Sequence, residues 1–205
     1  MIFTREDKEN IENAIQAGGD IWNNDLLKEV KQKIKSYYRI LQGEQCCYCR
    51  RSTRGEFRMV IDIEHVLPKK RFNIHMFNLK NLGVSCKRCN MRIKGEDISF
   101  FTGNLDNPDT HFNSSYYNFI HPNIDHYFAH IEYMVHIVNE KMMIKYNVLN
   151  NNAKGNFTYN YFKLSELEVD SFNQAQGIEG SESIDEAIDN ETADRIETLL
   201  MYNGT

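Results

Sequence analysis

Four cysteines in paired spacing carry the clearest chemistry in this sequence. Cys46 and Cys49 in "CCYC" and Cys86 and Cys89 in "CKRC" form two C-x-x-C knuckles separated by 36 residues. Each knuckle turns two sulfurs toward one point, and four thiolates make a tetrahedral zinc site. The chain has no run of about 18 apolar residues, and "MIFTREDKENIEN" carries charge where a secretory leader is apolar. A cytoplasmic location is therefore expected, and there paired cysteines hold metal rather than form disulfides. Cys47 lies outside the knuckle geometry and is expected to be a packed free thiol. Between the knuckles stands "IDIEH", with Asp62, Glu64 and His65, and the second knuckle runs directly into Asn90 and Lys94.

Short elements must position these residues. "NNDLLKEVKQKIKSYYRILQ" spaces apolar residues at helical intervals from Leu26 to Leu41, with Asn24 or Asp25 as cap and Gly43 as stop. "EFRMVIDIEHVL" alternates as a half-buried strand that Pro68 ends. A loop to about Asn81, a short strand "LGVS" and a helical "KRCNMRIKG" closed by Gly95 complete a strand, loop, strand, helix sequence. Further on, "HIEYMVHIVNEKMMIKYNV" reads as a hairpin turning at "NEK". "NFTYNYFKLSEL" reads as a strand running into a helix. The acidic end "SESIDEAIDNETADRIETLL" spaces Ile184, Ile188, Ile196 and Leu200 for a helical face. These elements define an α+β chain in three parts: a helical element over 1–44, a zinc-stapled core over 45–97 and a hairpin-and-helix extension over 98–205.

Charge is distributed unevenly. The net charge of −5 conceals a balance of −1 over residues 1–44, +9 over 45–95 and −13 over 96–205. A basic segment inside an acidic chain is the footprint of a phosphate-binding surface, although a solvated charged face gives the same count.

"IEHVLPK", "NL" and "CKRCNMRIK" together resemble the ββα-metal, or HNH, endonuclease motif in its four-cysteine zinc form. The resemblance implies that His65 activates water, that Glu64 and Asn90 bind one divalent cation, and that Asn81 ties the loop. Asn90 stands where the second histidine of the name would be, and this favours magnesium or manganese as the catalytic ion. Lys94, four residues after Asn90, is expected to touch substrate phosphate, and Asp62 to support the ligands. Glu64 and His65 are strand neighbours and need a strand end or bulge to converge. Lys69, Lys70, Arg71, Arg88 and Arg92 are the candidate contacts to DNA phosphates.

More loosely, the flanking segments are similar to the HNH proteins of bacterial anti-phage systems of the Septu and retron-associated type. This implies a phosphodiester hydrolase acting in defence beside an ATPase partner, with weak activity alone because the flanks are acidic. A glutamate–histidine pair or a lone asparagine is ordinarily structural. Their joint occurrence in a basic, twice-knuckled segment favours the nuclease. A non-catalytic zinc adaptor that binds nucleic acid or protein, and an RNA-cleaving enzyme, remain the alternatives. In "HPNIDHYFAHIEY", His126 and His130 stand at helical spacing near His121 and Asp125, where packing is favoured over a second metal site.

Overall fold

The computed structural model of the chain describes residues 2–56 and 60–174. These form two compact units. The first runs through Tyr133 and includes Tyr146–Glu166; the second combines Met134–Lys145 with the described residues from Leu167 onward.

In the first unit, helix α1 (Arg5–Ala17) opens with a reciprocal cap between Thr4 and Asp7 and stops at Gly18, whose φ of 67° suits glycine. Lys33 reaches back from helix α2 (Lys28–Leu41) to Asp7 at 2.8 Å and fastens the two helices. Asn24 caps the turn that leads into α2 by accepting from the Leu26 amide, and Gly43 follows its end at φ 64°. One apolar face of α2 (Val30, Ile34 and Tyr38) packs with Ala14 and Leu27 against Ile61, Leu82 and Val84. The N-terminal helices and the strands therefore share one core.

Strand β1 (Ile61–His65) pairs antiparallel with β2 (Leu82–Cys86), from Ile61 opposite Cys86 to His65 opposite Leu82 without interruption. After β2, Arg88–Lys94 winds as a π-helical turn, closed by a bond from the Gly95 amide to the Asn90 carbonyl at 2.7 Å. The strand, loop, strand, helix order expected from the sequence is present, with the helix wider than an α-turn.

A second, aromatic core lies beyond β1, where Phe100 meets Phe119 and Tyr48 stacks on Phe162, each at 4.2 Å between centroids. The segment expected as a strand, "NFTYNYF", is instead helix α3 (Ala153–Tyr161). Asn152 caps it by accepting from the Gly155 amide at 2.7 Å, and its alternating aromatics place Phe157 over Tyr161 one helical turn apart. Period-two lettering and a one-turn aromatic pair coincide here, and the cap decides between them.

The hairpin is present as β3 (Ile131–Val138) and β4 (Lys141–Val148), with Asn139 at φ 53° in the turn. In the second unit β4 pairs with the two-residue β5 (Val169–Asp170), followed by α4 (Ser171–Gln174). The acidic helix expected over 184–200 lies outside the described residues. No helix among the described residues is long and apolar enough to cross a membrane.

Candidate functional site

The sulfurs of Cys46, Cys49, Cys86 and Cys89 all lie within 4.8 Å of one another, and all four side chains are buried. Tetrahedral zinc with bonds of 2.3 Å separates its sulfurs by about 3.8 Å. Cys49 and Cys86 stand 3.8 Å apart, so the donor set fits a structural metal such as zinc. Burial opposes ionisation of Cys46, but hydrogen bonds from the neighbouring cysteines outweigh it and hold its thiol well below the usual range. The Cys86 amide and the Ser85 hydroxyl also lie 3.4 and 3.5 Å from that sulfur. Tyr146 anchors the first knuckle by donating to the Cys49 carbonyl at 2.6 Å. Cys47 is buried beside the cluster but outside it, as its spacing implied.

Asn81 is fully buried and ties the loop between β1 and β2. Its oxygen accepts from the Leu67 amide at 2.7 Å, and its nitrogen donates to the Leu67 and His75 carbonyls at 3.0 and 3.2 Å. The loop is closed a second time by His75, whose Nε2 is 2.8 Å from Nδ1 of the buried His111.

The acid–histidine pair diverges. With an unbroken register and no bulge, alternation sends Glu64 and His65 to opposite faces of β1. His65 is 8% exposed, and its Nε2 lies 3.1 Å from the Met76 carbonyl. A carbonyl only accepts, so Nε2 carries the proton and Nδ1 keeps the lone pair. Burial, with help from the Lys69 and Lys94 charges, pushes its pKa down to about 3, so the ring is neutral at physiological pH. The edge of Trp22 meets this ring at 4.5 Å between centroids.

On the other face, Glu64 Oε1 accepts from the Tyr48 hydroxyl at 3.0 Å and pairs with Lys94 Nζ at 2.9 Å, with both charged side chains 1% exposed. Its Oε2 is buried without a hydrogen-bond partner. Burial pushes the Glu64 carboxyl up, and Lys94 and Tyr48 oppose this. Lys94 also donates to the His65 carbonyl at 3.0 Å, and its ammonium lies over the Phe100 ring. The expected contact of Lys94 with substrate phosphate is thereby corrected. The π-helical turn aims this ammonium inward, where Glu64 neutralises it.

Asn90 does not join Glu64. Its amide meets Asp62, the neighbour of Glu64 two residues back on the same face of β1, at 3.4 Å. Asp62 and Asn90 are half-buried and line a groove of about 780 Å³ between α2, the outer edge of β1 and the π-helical turn. Lys28, Lys31, Lys35 and Arg39 line the facing wall, and Trp22 lies in it beside His65. The balance of −1 over residues 1–44 conceals this wall in the sequence. The usable signal was the spacing of Lys31, Lys35 and Arg39, four residues apart and hence on one helix face.

Among the expected DNA contacts, Lys70, Arg71 and Arg92 are exposed, Lys69 is half-buried, and Lys70 pairs with Glu96. Arg88 is used internally. It donates to the Phe162 and Lys163 carbonyls at 2.9 and 2.8 Å and pairs with Glu166 at 3.0 Å, clamping the chain after α3 to the π-helical turn. His126 and His130 flank a short turn, Tyr127–Ala129, rather than sharing an α-helical face, and His130 bonds Asn152 at 2.8 Å. His121 is fully buried, with its Nδ1 accepting from the Asn123 amide, and Asp125 is held by Lys154 and Ser114.

The chain matches no protein-family model, no curated protein and no solved structure.

Proposed function

We propose that this chain is a metal-dependent endonuclease of the HNH type that hydrolyses DNA phosphodiester bonds. The observation that carries this reading is His65. It is a neutral imidazole fixed through Nε2, with a free lone pair on Nδ1, and it packs on Trp22, which lines a groove that also holds the Asp62 and Glu44 carboxylates, the Asn90 and Gln32 carboxamides and four cations. In hydrolysis Nδ1 takes a proton from water, the oxygen bonds to phosphorus, the bond from phosphorus to the 3′ oxygen breaks, and that oxygen takes a proton from solvent water. The products carry 5′-phosphate and 3′-hydroxyl ends.

Glu64 is an unsuitable ligand for a cation while the Lys94 ammonium sits 2.9 Å from its oxygen. Asp62 and Asn90 supply a better pair. A half-turn of the Asn90 amide exchanges its nitrogen for its oxygen, so both side chains then offer oxygens to a hard ion such as magnesium or manganese. An ion held there would neutralise a phosphate oxygen and the departing alkoxide. The four thiolates brace β2 and the π-helical turn with structural zinc, and Asn81 holds the loop that carries Met76 close to His65. The role in anti-phage defence and the ATPase partner rest on the sequence resemblance.

A second reading, a non-catalytic zinc adaptor, draws on the same Glu64–Lys94 pair, which removes the motif's acidic residue from the groove. Plasmid cleavage with magnesium or manganese separates the two. The nuclease reading expects His65→Ala and Asp62→Ala to lose cutting while their melting curves stay cooperative. Full cutting by both variants, or no cutting by the unaltered chain with any divalent ion, overturns it.

A further inference from the structure

We infer that the groove along α2 is the track for one unpaired phosphodiester strand, with its phosphates on the helix and its bases toward the apolar rim. The inference rests on the nuclease reading only for the direction of the track, which runs along Asp62 and Asn90 toward Trp22, the ring that packs on His65. Lys28, Lys31, Lys35 and Arg39 recur every three or four residues, so they form one stripe. At 1.5 Å per residue the stripe is about 16 Å long. Lys28 and Lys31 stand about 4.5 Å apart along it, while Lys35 donates to the Ile61 carbonyl and Arg39 to Glu44.

Lys31 donates to a neutral acceptor, the Trp22 carbonyl, at 3.0 Å and keeps its charge for a ligand. Arg39 is paired with Glu44, so the charge available to an anion is concentrated toward the Lys28 end, nearer Trp22. Ile40 on α2 and Met91 on the π-helical turn also line the groove, 78% and 66% exposed. A duplex keeps its bases stacked inside and offers these two side chains only sugar and phosphate. An unpaired strand brings base faces to them and to Trp22, the aromatic in this groove, and single-strand binding combines a cationic groove with aromatic stacking platforms. The expected phosphate contacts at Lys69, Lys70 and Arg71 lie outside this lining.

The test is equilibrium binding of the full chain by fluorescence anisotropy, without added magnesium or manganese so that nothing is cut. Its probes are a DNA oligonucleotide, its duplex and the RNA of the same sequence, each measured over a series of salt concentrations. The unpaired strand is expected to bind about 10-fold or more tighter than the duplex, and DNA against RNA identifies the sugar. Lys28→Ala is expected to weaken binding several-fold and to lower the salt slope by about 0.7, the contribution of one phosphate on a single strand. Gln32→Glu, which adds a charge to the groove without removing any bond of the native fold, is expected to act in the same direction. Lys8→Ala on the exposed face of α1 is expected to change nothing.

Duplex preferred over single strand, unchanged binding in both groove variants, or no binding by the unaltered chain would each overturn the track. Intact binding through α2 without cutting under any divalent ion would overturn the nuclease reading alone. Cutting that survives both groove variants unchanged would overturn the track and leave the nuclease standing.

Discussion

Two clusters in this molecule began as equally suggestive letters and folded to opposite outcomes. The four cysteines, drawn from segments 36 residues apart, meet within 4.8 Å. Glu64, His65 and Asn90, drawn from the strand and helix between and beside them, face three different surroundings: Lys94 with Tyr48, Met76 with Trp22, and Asp62. A C-x-x-C knuckle carries its geometry within four residues, so two knuckles need only be brought near each other. Adjacent strand residues diverge by construction, and nothing in β1 bends them back. Local motifs survive folding intact, whereas motifs that assume a bulge depend on the bulge.

The largest effect that sharpens this contrast is metal removal. Cys86→Ser, or a strong zinc chelator, is expected to unfold the segment between the knuckles. The free energy at stake approaches that of a structural zinc, about 10 kcal/mol or more. Elemental analysis should find one zinc per chain, and a metal-free chain with an unchanged melting curve would show that the thiols pack without it. Next, Lys94→Ala strands the Glu64 carboxylate in the interior and is expected to cost about 3–5 kcal/mol in chemical denaturation. Lys94→Met with Glu64→Gln should recover most of that loss. A mild single variant would mean that Lys94 swings outward and that Glu64 is free to ligate.

His65→Ala is expected to slow cleavage by about 100-fold, the low end for a general base because burial makes this imidazole a weak one, while Asp62→Ala abolishes the response to magnesium. A larger metal defect in Glu64→Gln than in Asp62→Ala would restore the ligand assignment that the sequence motif implies. Asn81→Ala leaves the Leu67 amide and the Leu67 carbonyl without a partner, while the His75 carbonyl keeps the Asn78 amide, and is expected to destabilise by about 1–3 kcal/mol for each group left orphaned.

A last effect concerns pH. Burial pushes the His121 ring, distant in sequence from both clusters, down to a pKa of about 3. A histidine depressed below its unfolded value of about 6.5 contributes stability that is complete above that value and lost as pH falls toward 3. Its ring resonances should therefore show no titration between about pH 8 and pH 5. Unfolding free energy should decline with acid below about pH 6.5. A midpoint near 6 for His121 would place it in contact with water.

Much of the architecture was legible. The α2 period, the Gly43 stop, both strands flanking the loop and the hairpin at Asn139 follow from spacing and turn chemistry, which are properties of a few neighbouring residues. The α3 segment was misread because Phe157 and Tyr161 satisfy a two-residue and a four-residue period at once. The cap from Asn152 that settles it is one side chain in a run of asparagines. The spacing of Lys94 four residues after Asn90 and the basic segment around Arg88 point to substrate, and nothing nearby in sequence announces Glu166 or Glu64 as their partners.

The sequence by itself determined the paired cysteine knuckles, the order of strand, loop, strand and helix, and the presence of an imidazole, carboxylates and amides between or beside them. These are fixed by covalent spacing and local backbone preference. Only the tertiary structure decided which of those groups share a surface. Burial is settled by packing among segments far apart in the chain. Packing paired Lys94 with Glu64, turned Asn90 to Asp62, and set the stripe on α2 across from them.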